Sequence, residues 1–175
     1  GDTDILYREP AFKTVKISAA MLRQVFHPCT PDFIAKTCHA SCCESTTAES
    51  GTIITIHPSE ESAIRAHSGV IVGGILQPVN RRCPFKTGED LCGLHGTPDK
   101  PFGCCASPFT LNSNDTLIVR NRYRLLKCYL AEGGVPAYQA HRAALEAILG
   151  DIEADRVCRA LDAGTEDINA DMPMA

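Results

Sequence analysis

The sequence predicts a small α+β domain: short strands, irregular cysteine-rich loops pinned by metal, and C-terminal helices packing on the cysteine-bearing half. Three observations carry this. Short β-branched runs such as Thr52-Ile53-Ile54-Thr55-Ile56 and Thr116-Leu117-Ile118-Val119 alternate with helical patterns. Apolar residues recur at helical spacing between Ala137 and Leu161. Seven of the ten cysteines fall in two short segments, Cys38 to Cys43 and Cys83 to Cys105, each containing an adjacent Cys-Cys pair. A chain of 175 residues with 44% hydrophobic residues can bury a core without a metal holding every part of it.

Taken in order, Thr14 to Ile17 reads as a short strand. Ser18 is an N-cap for a helix from Ala19 to Phe26, stopped by Pro28. Cys29 lies in the loop His27-Pro28-Cys29-Thr30-Pro31 and reads as an isolated thiol between prolines. After the strand near Ile54, Ser59 is expected to cap a helix from Glu60 to His67, with Gly69 just past its end. Val70 to Val72 is a further strand, broken by Gly73-Gly74. Residues Cys83 to Pro108, rich in Pro and Gly, are expected to be irregular, and long irregular loops in compact domains tend to be functional or pinned. Tyr123 to Tyr129 reads as strand or helix. Pro136 opens a helix over Ala137 to Leu149, and Ile152 to Leu161 forms another. Cys158, beside Val157 and Leu161 on that helix, reads as a buried core thiol.

The expected organisation is an N-terminal segment and helix (1–32), a cysteine-cluster metal-binding domain (33–130), C-terminal helices packing on it (131–163) and an acidic flexible tail (164–175). The net charge of −4 arises at that end. Four acids and no Lys or Arg lie from Asp162 onward, which leaves 17 acids against 17 bases before it. A neutral body lacks the basic footprint of nonspecific nucleic-acid binding. Arg120, Arg122 and Arg124, at alternate positions, read as a solvated face. No apolar run approaches the length needed to span a bilayer, and no stretch at the N-terminus reads as a signal peptide. A cytoplasmic location is therefore expected.

Ten cysteines could form five disulfides in a secreted protein. Adjacent cysteines pair poorly with each other, however, and a chain of this size does not need staples. Clustered thiols then read as ligands of a soft metal: zinc or an iron–sulfur cluster. Cys38-x3-Cys42 has the spacing of one zinc-ligand pair and Cys92-x2-His95 that of another. One zinc does not use the whole set, so either two metals bind or one cluster takes four thiolates. The two segments are expected to converge on one centre.

The order Cys38-x3-Cys42-Cys43, then Cys83-Pro84-Phe85, then Cys92-Gly93-Leu94-His95, then Pro101-x-x-Cys104-Cys105-x-x-Pro108 resembles a bacterial cysteine-cluster family. These are the CxxCxxCC proteins (YkgJ-like) described as zinc- or iron-chelating. The resemblance covers residues 33 to 128. The knot has three residues between Cys38 and Cys42 where the family has two, His95 stands in place of Tyr, and Cys105 in place of Arg. The resemblance implies Cys38, Cys42, Cys43, Cys83, Cys92 and Cys104 as metal ligands, with Cys105, Cys128 and His95 as further candidates. Flagellin lysine methylases carry a similar cluster, so a protein-modifying enzyme is one alternative and a zinc-stabilised interaction module another. No nucleotide-binding, hydrolase or zinc-protease motif is present, and no residue is assigned a catalytic role.

Overall fold

The computed structural model describes residues 11–38, 55–79, 83–85, 87, 92–95 and 97–174. The architecture is α+β, as the sequence predicts. Its centre is a four-stranded mixed sheet in the order β5-β6-β1-β8. Strand β1 (Phe12–Ser18) pairs in parallel with β6 (Thr116–Val119) on one side. On the other it pairs antiparallel with β8 (Asp167–Pro173) through seven residue pairs, from Phe12↔Pro173 to Ser18↔Asp167. Alternation puts Val15, Ile17, Leu117, Val119, Ile168 and Ala170 on the buried face. β5 (Phe109–Leu111) joins β6 in a hairpin whose turn is made by Asn112. The Asn112 Oδ1 accepts from the backbone N–H groups of Asn114 and Thr116, the side-chain mimic of a backbone turn.

Where charge predicts an acidic flexible tail over 164–175, Asp167–Pro173 form a strand. Asp167, Asn169 and Asp171 point outward while Ile168 and Ala170 are buried. The outer edge of β8 is also covered. From helix α7 (Asp151–Asp162), Glu153 Oε2 accepts from Asp171 N–H at 2.7 Å and Arg156 Nη2 donates to Asn169 O at 2.6 Å. Two side chains thereby occupy backbone groups that an open edge would offer to another chain.

Ser18 caps the short helix α1 (Ala19–Leu22), its Oγ accepting from Met21 N–H. The helix does not run on to Phe26. Val25–Phe26 form strand β2, antiparallel to β7 (Val135–Pro136), because a β-branched and an aromatic side chain gain more from that pairing than from a further helical turn. Pro31–Phe33 form a short turn of helix, α2, that passes into a π-helical turn over Ile34–Cys38. The expected helix over Ala137 to Leu149 divides at His141 into α5 (Ala137–Ala140) and α6 (Arg142–Leu149). Helices α6 and α7 bury Leu145, Ile148, Leu149, Val157, Cys158 and Leu161 against the sheet. Arg23 closes the end of α7, donating to Leu161 O and Thr165 O and pairing with Glu166 at 2.6 Å. Cys158 is buried in this core, as its helix position predicts.

A second, smaller core consists of Ile56, Ile64, Ile71, Leu76 and Leu94. Strands β3 (Ile71–Val72) and β4 (Ile75–Leu76) form its hairpin, with Gly73 and Gly74 at φ +59° and +76°. The two left-handed residues that a tight two-residue hairpin demands are supplied by the Gly-Gly pair. A 3-10 turn (Pro58–Glu60) leads into α3 (Glu61–Ala66), which contributes Ile64. The cap is His57 rather than Ser59: His57 Nδ1 accepts from Ser59 N–H and Glu60 Oε1 from His57 N–H, a reciprocal box. Of the expected strand at 52–56, only Thr55 and Ile56 are described, and Thr55 bridges to Ile75. Tyr123 lies in a 3-10 turn over Asn121–Leu125, where Arg122 and Arg124 lie over the rings of Tyr123 and Tyr129. Among the described residues no helix is long and apolar enough to cross a membrane.

His141, between α5 and α6, is wedged edge-on against the rings of Phe26 and Phe109, with centroids 6.1 and 6.3 Å away. Its Nε2 is buried with no hydrogen-bond partner. Burial pushes its pKa down from 6.5 to about 4. The folded state therefore binds fewer protons than the unfolded chain between these values. Stability is full above pH 6.5 and falls as pH drops toward 4, by about 3 kcal/mol in all. Urea unfolding across that window should show the loss, and His141→Phe should flatten it; an unchanged acid limb would place the sensitivity elsewhere.

Candidate functional site

Residues Cys83 to Pro108 do contain regular structure, namely α4 (Phe102–Ala106). Pro101 precedes it at φ −57°, and its carbonyl accepts from Cys104 and Cys105 N–H. Glu60 fixes where this helix begins. One carboxylate oxygen holds the His57 backbone, and the other accepts from Phe102 N–H at 2.9 Å. The cap of α3 and the start of α4 are thus one hydrogen-bonded unit.

Helical rotation separates the two adjacent cysteines. Cys104 packs against the small core, whereas Cys105 directs its Sγ to Lys100 O at 3.8 Å. Ala106, two residues on, belongs to the large core, so α4 bridges the two apolar clusters. Cys83 and Cys92 pack with Phe85 against the same small core as Cys104. Gly93 N–H donates to Phe85 O at 2.8 Å and ties the Cys92 turn to the Cys83 turn. Three of the expected ligands therefore border the same small core, each half-buried.

The other candidates lie elsewhere. His95 is exposed, and its Nδ1 accepts from Lys100 Nζ at 3.0 Å. A bound ammonium there competes with a metal for the same lone pair. Cys128 is buried in the large core, at the end of the 3-10 segment. Burial is the main reason its thiol is pushed up to about 11, and the nearby thiols of Cys29 and Cys38 add to the rise. Cys38 is half-buried. Cys29 itself is exposed. Cys42 and Cys43 lie outside the described residues.

Among the described residues, no three His, Cys, Asp or Glu side chains stand close enough to hold a metal ion. Cys83, Cys92 and Cys104 are nonetheless chemically matched as donors. Soft thiols set against an apolar cluster suit zinc or iron–sulfur and not magnesium or calcium. Glu60 reads from local pattern only as a helix-start acid, and its hold on the start of α4 follows from the fold. No known protein family, curated protein or solved structure matches the chain.

Gly69 joins this region to α3. A Cβ there would lie 2.6 Å from Ile64 Cγ2, 3.0 Å from Ile64 O and 3.0 Å from Phe85 Cζ. Gly69→Ala should therefore displace Phe85 and loosen the small core by about 1–3 kcal/mol. Thiol-labelling rates at Cys83 and Cys92 should rise while that of Cys158 stays low. Uniform labelling changes at all three would indicate global unfolding instead.

Proposed function

We propose that this chain is a metal-binding protein whose clustered cysteines hold an iron–sulfur cluster or zinc, iron–sulfur being favoured, in a structural, redox or metal-handling role. The observation that carries the reading is the packing of Cys83, Cys92 and Cys104 on one small apolar core. Glu60 and the Gly93–Phe85 hydrogen bond hold the segments that bear them. The knot would supply the rest of the donor set through Cys42 and Cys43, and its order resembles that of the chelating cysteine-cluster proteins. When bound, the metal would cross-link the Cys83, Cys92 and Cys104 turns. The surrounding isoleucines and Leu94 would keep water from the sulfurs, which strengthens thiolate–metal attraction and protects the thiolates from oxidation.

Purification without oxygen followed by metal analysis tests this directly. A brown protein containing iron and acid-labile sulfide, or a colourless one containing zinc, is the expected result. Cys92→Ser and Cys104→Ser should each lose the metal of this centre. Wild-type protein without metal, and with every thiol either titratable or in a disulfide, would overturn the proposal.

A further inference from the structure

The cover on the outer edge of β8 is partial. Met174 N–H donates to Ala11 O, one step beyond the last strand pair, Phe12↔Pro173. Hydrogen-bonded pairs alternate along an antiparallel ladder. The even-numbered residues of β8 therefore exchange bonds with β1, and the odd-numbered ones turn N–H and C=O outward. Arg156 and Glu153 obey that parity, taking Asn169 O and Asp171 N–H. The other outward groups include Asn169 N–H and the Asp167 and Asp171 carbonyls, and none of these has a hydrogen-bond partner among the described residues. Beside this edge lies a cavity of about 390 Å³, within the range of about 300–1,000 Å³ for ligand sites. Arg156 and Ala160 of α7 line one side, residues 167–171 of β8 the other, and Thr165 stands in the turn that joins them. Residues four apart share a helix face, so α7 presents a single wall to the strand edge.

A strand edge flanked by a concave wall suits an extended peptide. Main-chain hydrogen bonds to the edge give affinity, and alternate side chains give specificity. The two faces of β8 dictate those side chains. On the open face Asp167, Asn169 and Asp171 are exposed. Asp171 Oδ1 accepts from Thr14 Oγ1, and Asp167 forms no ion pair among the described residues. No Lys or Arg follows Arg159 in the chain. On the other face Ile168 and Ala170 are buried, with Ala160 packed against the same core. Opposite charges on neighbouring strands stabilise the pair and like charges destabilise it. A strand added here therefore carries Lys or Arg on the first face and small apolar residues on the second.

We propose that the edge of β8, beside α7, takes an extended peptide of alternating basic and small apolar residues as an added strand. The Glu153–Arg156 pair is an internal stand-in for that strand. Its donor on Asn169 O and its acceptor on Asp171 N–H mark where the peptide's own N–H and C=O go. The Arg156 side chain is 54% exposed, so it can leave the edge without opening a cavity in the core. The inference concerns the sheet edge and does not depend on metal at Cys83, Cys92 and Cys104.

Titrating the full-length chain into a capped, fluorescent peptide of alternating Lys and Val tests it, read by anisotropy and by backbone hydrogen exchange. Binding should saturate and weaken as salt rises. It should slow exchange at the outward Asn169 N–H and leave Ile168 N–H, already held by β1, unchanged. Asp167→Lys should weaken binding by about fivefold. Asn169→Pro should abolish it, because a proline at an edge removes an outward N–H without costing the ladder a bond; its thermal unfolding shows whether it folds, and Asp167→Lys tests the site independently of it. Replacing both Glu153 and Arg156 by Ala should tighten binding, since the pair no longer competes. The inference is overturned by an absence of saturable binding, by equal binding of a peptide of the same composition in block order, or by binding that leaves Asn169 exchange unchanged. Protection of Asn169 that rises with protein concentration without peptide also overturns it, because the edge then belongs to a second copy of the chain.

Discussion

The pairing of β1 with both β6 and β8 is the constraint on which the rest of the molecule depends. A strand that begins the described chain is flanked by one from its middle and one from its end. Neither partner is close in sequence, so the sheet forms only when the whole chain has come together. Its buried face is aliphatic: Val15, Ile17, Leu117, Val119 and Ile168. Burying each such side chain contributes about 1.5–3 kcal/mol against the entropy of ordering it. β8 adds seven paired residues, and the Glu153–Arg156 pair on α7 occupies its outer edge. Two of the described candidate-bearing segments adjoin this frame: β5 follows directly on α4, which carries Cys104 and Cys105, and β6 leads through the 3-10 turn to Cys128.

Among the described thiols, Cys83, Cys92 and Cys104 lie at the small apolar cluster and Cys128 and Cys158 in the large one, and α4 joins the two clusters. Cys104 faces the small core, Ala106 the large one, and α4 packs against α6. The small core has five buried residues and little regular structure, far too small to be stable alone. A cross-link by metal would stabilise that part most, because its loops have the most conformational freedom to lose. The large core needs no such help.

Much of this was legible in the sequence. The β-branched runs at Thr14 to Ile17 and Thr116 to Val119 are strands, and the apolar faces of residues 142–149 and 151–162 are helices. What failed was local pattern overruled by distant partners. Asp167, Asn169 and Asp171 alternate with Ile168 and Ala170, which is a strand signal, but the net charge suggested a solvated end until β1 supplied the partner. The helix at Phe102–Ala106 is one and a half turns long among prolines and glycines, too short for periodicity to reveal. The resemblance singles out Cys83, Cys92 and Cys104 together, and these three pack on one core.

The central claim is that sulfur, held by the fold, is the metal-binding chemistry of this chain. X-ray absorption on anaerobically purified full-length protein, at the edge of whichever metal it carries, tests this most directly. The account predicts a first shell dominated by sulfur at thiolate–metal distance, about 2.3 Å for zinc. A shell of oxygen and nitrogen alone would contradict it.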